Sequence, residues 1–387
     1  MPASTPGTRL IFQNFNLFAG PAGQSGQSAT GAMYYYPGTA GVTGFANSGN
    51  NLILQLANVT NAQVSVDIAR QDLNILGQLA RVDQLILTPP TIQLNANWNV
   101  TDGYNEAVAG LNIKGAAFLS GILTKASDSK NWFIAYSPQG VDEDSAVTIA
   151  QRDVLSIGNG FLSNYTINAA IGQPVSAAIT VDGLNVAAQF GSSGNVTPAV
   201  NPANSAPITT WTYQLPQGKV ITGAGSVFAL RPGDITLEFP NGAGFLVPVS
   251  GSSAVNIQSF DLSMPISRAV INRLGSFLGF SREIQFPLNC QLSLRALQTE
   301  LQTGSLANLI CNDSLYNGKI RIKQPACPGA TSADAVILQI NQFKLSNISF
   351  GMTVGGDATV DLSASAQLGG ALSTDGITFS GYYGQQF

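Results

Sequence analysis

The chain of 387 residues contains no histidine. That removes Ser-His-Asp and Cys-His nucleophilic arrangements and the commonest zinc ligand, leaving carboxylates, Lys, Tyr and Cys for any chemistry. Cys290 and Cys311 stand where a second, similar stretch of the chain carries Ile92 and Ile113. Both therefore read as small core hydrophobes. Cys327 sits in a Pro-Ala-Cys-Pro-Gly loop with no basic neighbour to lower its pKa. The densest acidic run, Asp142-Glu143-Asp144, offers oxygen ligands of the kind calcium takes, but the EF-hand spacing and its turn glycine are missing. It reads as a solvated loop. Asp102 and Glu300 occupy equivalent places in the two similar stretches, one acid in each, so no acid–base pair follows. The glycine-rich run at 20–31 lacks the Gly-Lys-Ser/Thr ending of a phosphate-binding loop. The sequence thus predicts no catalytic residue, no metal site and no cofactor, and no enzyme is expected.

Two arginines invite a different reading. Arg70 and Arg268 each directly follow an alternating apolar run, in a chain whose charged residues make up only 10%, against roughly 25% in an ordinary soluble domain. Such an arginine serves as an ion pair or carbonyl clamp within its domain, or as a contact between subunits, where arginine is favoured.

The arginines belong to an internal repeat. The stretch VSVDIARQDLNILGQ (64–78) aligns without a gap to LSMPISRAVINRLGS (262–276), at a constant offset of 198 from Arg70 to Arg268. The same offset pairs Asn74 with Asn272, Gly77 with Gly275, Pro89 with Pro287 and Leu94 with Leu292. A second block sets Leu162-Ser163-Asn164 on Leu345-Ser346-Asn347 at an offset of 183, so the first copy carries extra residues around 126–146. Two blocks in one order point to a tandem of two homologous domains, since the period is too long for a solenoid.

Within each copy the pattern is that of strands. Ile92, Leu94, Ala96 and Trp98 alternate with polar residues, as do Ile284, Phe286, Leu288, Cys290, Leu292 and Leu294. A period of two marks a strand with one buried face. Val175, Ala177, Ile179 and Val181 match Val360, Leu362, Ala364 and Ala366 in the same way. Pro89 and Pro287 cannot donate to a ladder and predict an edge or bulge there. Ser267 as N-cap, Val270 and Leu274 four apart, and Gly275 at C′ predict a short helix. Asp72 supports its counterpart before Gly77, and a second short helix is expected at 106–111 and 305–310. The expected fold is mainly β: two tandem β-sandwich or barrel-like domains, each with one or two short helices. Residues 1–40 read as an arm that orders against a neighbour, 41–190 as the first copy, 191–212 as a Gly/Pro/Asn/Ser-rich linker and 213–387 as the second copy.

Hydrophobic residues make up 44% of the chain and the formal net charge is −4, which excludes compositional disorder. No Lys/Arg cluster suits tight nucleic-acid binding. No leader-like apolar run opens the sequence, and no apolar stretch approaches the length of a membrane-spanning helix. So weakly charged a surface fits a protein covered by partner subunits.

The charge-poor composition, the unit built on ISRAVINRLG, the following SREIQFPLNCQLSLRAL and the helix-like GSLANLI together resemble virion proteins of tailed bacteriophages, particularly major tail tube proteins. The resemblance covers both copies in outline. It implies β-sandwiches with a short helix, assembled into stacked rings whose inner strands close a β-barrel lumen, here as three chains carrying six domains. It also implies a virion location after assembly in the host cytoplasm, self-association, contact with other virion proteins and non-specific passage of DNA. It carries no catalytic residue. Other roles open at this point are a baseplate, capsid-decoration or tail-fibre component, or a tandem adhesin or carbohydrate-binding module.

Overall fold

The computed structural model describes residues 15–22, 53–124, 128–137, 143, 152–192, 195–201, 204–208, 213–215, 229–231, 235–239, 254–255, 257–279, 281–297, 315–324, 333–352, 358–373 and 375–381. The fold is mainly β. In the first half, β1 (Phe15–Pro21), β2 (Leu54–Gln55) and β3 (Val59–Asp67) precede a small hairpin, β4 (Gln71–Leu73) and β5 (Asp83–Leu85). There follow β6 (Thr91–Asn99), α1 (Tyr104–Ala109), β7 (Lys114–Ala117), α2 (Ser120–Leu123) and β8 (Ser129–Tyr136). The long β9 (Arg152–Ala170), then β10 (Ser176–Gly183) and β11 (Asn185–Ser192), complete it. Four two-residue strands connect the halves: β12 (Asn195–Val196), β13 (Val200–Asn201), β14 (Ala206–Pro207) and β15 (Tyr213–Gln214).

The second half opens with β16 (Ile235–Glu238), β17 (Ala254–Val255) and β18 (Ile257–Pro265), then the hairpin β19 (Arg268–Ile271) and β20 (Ser281–Ile284). It ends with β21 (Leu288–Leu297), β22 (Tyr316–Lys323), the long β23 (Asp334–Gly351), β24 (Thr359–Leu368) and β25 (Gly376–Gly381).

Alternation decides which face is buried. On β6, Ile92, Leu94, Ala96 and Trp98 are buried, and on β21 so are Leu288, Cys290, Leu292, Leu294 and Ala296. The residues between them are polar and at least partly open to solvent. Each Ile or Leu so placed contributes about 1.5–3 kcal/mol, and each Ala less.

The halves share one pairing scheme. In the first, the order β3-β6-β10-β9 forms one antiparallel layer. The early part of β9 bends into a second layer, pairing with β8 and β11, while β8 continues to β1 and β2. In the second half, β18-β21-β24-β23 forms the corresponding layer. The early part of β23 pairs with β22 and β25, and β22 continues to β16 and β17. Register shifts also fall at matching places, at Val59/Asn61 and Ile257/Ser259. The late parts of β9 and β23 each bulge by one residue, at Ser163 and Ser346.

The two layers join edge to edge. Strand β18 lies antiparallel on the late part of β9, from Ala170 opposite Ser259 to Asn164 opposite Pro265. The continuous order is therefore β3-β6-β10-β9-β18-β21-β24-β23. A second join pairs β7 with β25, and beside it Phe118 stacks on Phe379 with ring centroids 5.1 Å apart. One hydrophobic cluster runs through both halves, with Trp98 and Tyr165 from the first and Leu262, Met264 and Ile266 from the second.

Several sequence expectations are corrected. The helix predicted over 267–274 is the hairpin β19–β20, and its counterpart is β4–β5. β-Branched Val270 and Ile271 suit a ladder, while Gly77 (φ +92°) and Gly275 (φ +83°) occupy the hairpin turns in the left-handed region. Asp72 supports no helix dipole; it accepts from Arg81 Nη1 at 3.3 Å and Gln84 Nε2 at 2.8 Å across the hairpin. Pro89 and Pro287 lie in the breaks between β5 and β6 and between β20 and β21, so the run Ile284–Leu294 is two strands and Phe286 is exposed. The peptide bond Phe286–Pro287 is cis. Within the segment read as an arm, Phe15–Pro21 is a core strand, with Leu17, Phe18 and Ala19 all buried. The segment read as a linker packs on the first half: Ala199 and Val200 are buried and Asn185 Nδ2 donates to the Pro198 carbonyl at 2.8 Å. The expected helix at 106–111 is α1, shifted to 104–109; its partner at 305–310 lies outside the described residues. Among the described residues no helix is long and apolar enough to cross a membrane.

Candidate assembly surface

Arg268 occupies the join. Its Nε donates to the Leu162 carbonyl at 2.9 Å and its Nη1 to the Arg282 carbonyl at 3.1 Å. Nη2 lies 2.8 Å from the Asp128 carboxylate, and the side chain is only 2% exposed. The guanidinium also stands over the Phe161 ring, 5.3 Å from its centroid. The arginine is a carbonyl clamp that reaches beyond its own half: it holds the Arg282 carbonyl there and ties that half to Leu162 and Asp128 of the first.

The clamp fits because β9 bulges beside it. Ser163, the extra residue, donates its hydroxyl to the Thr180 carbonyl at 3.1 Å, while its own carbonyl accepts from the Ile266 backbone N–H at 2.8 Å. A bulge re-aims backbone groups, and here it turns the Leu162 and Ser163 carbonyls toward the incoming chain. Arg282 adds a second tie, 3.1 Å from the Asp182 carboxylate. Burial pushes the Arg282 guanidinium down from its usual range, with the Asp182 charge acting the other way.

The counterparts of this join are exposed. Arg70 lies on the surface, with no hydrogen bond or ion pair among the described residues. Strand β3 pairs only with β6 among the described residues, and the late part of β23 pairs only with β24. Leu262, Met264 and Ile266 are at most 1% exposed; at the offset of 198, Val66 and Ile68 are 46% and 43% exposed. Ile167 and Ala169 are buried on β9, but Phe350, near the end of β23, and Met352, just past it, are 56% and 70% exposed. The bulge is present there too: Ser346 donates to the Ser363 carbonyl at 2.9 Å, the match of Ser163 on Thr180.

One face of the eight-strand layer is polar. A row across it runs Asn61, Asn97, Ala178, Thr166, Ser263, Gln291, Ser365 and Lys344. Neighbouring rows are laced by side-chain bonds, Thr180 to Asn95 at 2.9 Å and Ser176 to Asn168 at 2.7 Å. Cations on it are few. Arg295 is held bidentately by Asp361 at 2.6 and 3.0 Å, which draws the carboxyl below its ordinary range.

Three acids of the first half are buried in internal contacts. Glu143, from the acidic run, is not solvated: it is buried against Arg152 and accepts from the Ser137 hydroxyl. Glu106 accepts from Trp98 Nε1 at 3.2 Å and the Tyr165 hydroxyl at 3.1 Å. Burial pushes its carboxyl up to about 7, with Asp102 adding and the hydrogen bonds opposing. Asp102 is buried and accepts from the Thr101 hydroxyl and the Tyr104 N–H. Cys290 is buried, its thiol pushed up to about 11 by that burial, so it behaves as a core residue. Cys311, Cys327 and Glu300 lie outside the described residues. Among the described residues no group of His, Cys, Asp or Glu is placed to hold a metal ion.

Sequence reasoning passed over Glu106, Arg152, Asp182 and Arg282: the last two are 100 residues apart, and the nearer partners of Glu106 and Arg152 stand at spacings that mark no pair. The Leu-Ser-Asn repeat marks these two stretches as equivalent, but the sequence predicts an edge or bulge elsewhere, at Pro89 and Pro287.

No protein-family model matches the chain, and no curated protein matches it. Among solved structures it is similar to a chain of the virion of a native gene transfer agent particle, at 11% identity and a TM-score of 0.24, over 39% of this chain and 98% of that one. It is similar to a chain of the anti-feeding prophage baseplate at 12% identity and a TM-score of 0.26, over 38% of this chain and 91% of that one. It is similar to an Hcp protein at 11% identity and a TM-score of 0.23, over 38% of this chain and 97% of that one.

Proposed function

We propose that this chain is a structural subunit of a tail-tube-type conduit in a phage-like virion, and that it acts by assembly and not by catalysis. The observation that carries the reading is the eight-strand antiparallel layer spanning both halves, polar on one face and, among the described residues, unpaired at both ends. An open layer with two long edges is an aggregation template unless it closes, and a barrel removes the edges. On this reading the two halves are two versions of one tube unit, and three chains close a ring of six units with the polar face toward the lumen. Other virion proteins would cap or continue the tube.

The lumen chemistry suits passage of DNA. Phosphates are held chiefly by clustered cations. The polar face instead carries mainly Asn, Gln, Ser and Thr, with Lys344 at its edge, and its Arg295 is occupied by Asp361. The hairpins supply contacts of another kind. Leu274 and Phe277 stay 100% and 87% exposed although their hairpin is already docked, and Leu76 and Leu79 hold the same places on the other hairpin. Apolar tips left open after docking suit contact between stacked rings.

The test is negative-stain electron microscopy of the purified protein concentrated stepwise, with light scattering for mass. Hollow tubes with regular axial striation are expected, with threefold symmetry on averaging. Monomers at every concentration, or discrete particles that never stack, would overturn the tube reading.

A further inference from the structure

The internal join points to the join between chains. We infer that β3 of one copy pairs antiparallel with the late part of β23 of the next copy, in the register that β18 and β9 already hold. The inference rests on the tube reading and specifies the surface through which that assembly occurs.

The register follows by carrying each residue of the β9–β18 ladder to its counterpart. Leu262 opposite Ile167 becomes Val64 opposite Phe350, and Met264 opposite Tyr165 becomes Val66 opposite Ile348. Ser263 opposite Thr166 becomes Ser65 opposite Ser349. Apolar residues meet on the face that is buried in each half, and polar residues meet on the polar face. A slip of one residue would set every apolar side chain against a polar one.

A slip of two would preserve the faces, and the bulge excludes it. In the internal join the carbonyls beside Ser163 receive the Ile266 N–H and Arg268 Nε. Beside Ser346 the same groups are presented, and Ile68 and Arg70 stand at the matching positions of the incoming chain. Only the carried-over register puts Arg70 on the neighbouring copy's Leu345 carbonyl. The exposed apolar pairs, Val66 with Ile68 and Phe350 with Met352, are covered by the same step. The two surfaces differ, so the contact is head-to-tail and forms a ring where the rotation closes.

Parts of the internal join are not reproduced in the outer one. The positions of Arg282 and Asp182 are taken by Gln84 and Ser365, both neutral, and that of Phe161, beneath the Arg268 guanidinium, by Lys344. The permanent join within the chain has an ion pair that the join between chains lacks, which suits an interface that must form and dissolve during assembly.

Cysteine pairs test the register in the full chain, with Cys311→Ser and Cys327→Ser as background. Ser65→Cys with Ser349→Cys is expected to give chain-to-chain disulfides on mild oxidation of assembled tubes. The pairs Gln63→Cys with Ser349→Cys and Asp67→Cys with Ser349→Cys, each shifted by two residues, are expected to react at least about tenfold more slowly, because diagonal neighbours lie beyond disulfide reach. Each variant is first checked for an unchanged thermal midpoint. Tubes in which a shifted pair reacts fastest, or no pair reacts, overturn the register while leaving the tube reading intact. Failure of the background protein to form tubes at any concentration overturns the tube reading instead, and the register with it.

Discussion

Strands β3 and β18 carry the same alternation in opposite surroundings. Leu262, Met264 and Ile266 are sealed against β9, whereas Val66 and Ile68 face solvent. Strands β9 and β23 differ likewise, Ile167 being buried where Phe350 is open. On the assembly reading proposed above, the chain displays one interface both occupied and vacant. The apolar residues on the outer edges then have a role that their buried counterparts illustrate, that of packing under a partner strand.

The largest effect separates the two edges outright. Met264→Asp buries a lone carboxylate opposite Tyr165, at a cost of at least about 4 kcal/mol. Loss of the cooperative unfolding transition, followed by circular dichroism in urea, is expected. Val66→Asp, at the matching place, should leave the stability of the unassembled chain within about 0.5 kcal/mol yet abolish tubes in the microscope. Equal destabilisation by the two substitutions would mean that the edges are not equivalent.

A smaller effect comes from the arginines. Arg268→Ala strands the Asp128 carboxylate and two carbonyls in a site that is almost closed, which costs about 3–5 kcal/mol. Arg70→Ala should move the unassembled chain by less than about 0.5 kcal/mol. In assembly it removes one charge-assisted bond and raises the concentration at which tubes form by about tenfold. Light scattering across a dilution series reads this. An Arg70→Ala protein that assembles at the parent concentration would remove Arg70 from the join.

The contrast also marks what could be read in advance. Alternation along β6, β10, β21 and β24 was legible because each has one buried face, and burial there depends on local pattern alone. Phe15–Pro21 escaped because a strand covered on both faces loses its alternation. The stretch 267–274 misled for a different reason: over eight residues Val270 and Leu274 satisfy a helical period, and Gly275 fits a helix end as well as a hairpin turn. Tertiary support was the deciding term, and it comes from Leu162 and Asp128, more than a hundred residues away. For the surface, the matched Arg70 and Arg268 and the repeated Leu-Ser-Asn were visible as a pattern. Their meaning was not, since nothing in the sequence indicates that the second half docks on the bulge of the first.

The smallest effect concerns a feature of the first half alone. Glu106 is sealed with Trp98 and Tyr165, and the residues matching Trp98 and Tyr165 in the second half are Ala296 and Ile348. The Glu106 carboxyl is pushed up from 4.5 to about 7 by burial. Below both values the folded and unfolded chains are each protonated there, and above both each is ionised. Between them the folded chain holds a proton that the unfolded chain has released, so stability falls as pH rises, by roughly 3 kcal/mol across the window. Glu106→Gln keeps an acceptor for both donors but cannot ionise. Other carboxylates titrate in both proteins, and the difference between the two melting curves isolates this group. The variant should match the parent near pH 4.5 and melt a few degrees above it at pH 8. Glu106→Ala, which orphans the Trp98 and Tyr165 donors, should melt lower at acid pH as well. Parallel curves for parent and Glu106→Gln from pH 4.5 to 8 would mean that the buried carboxyl ionises without cost, and the polar cluster would then lose its place as the feature that distinguishes the first core from the second.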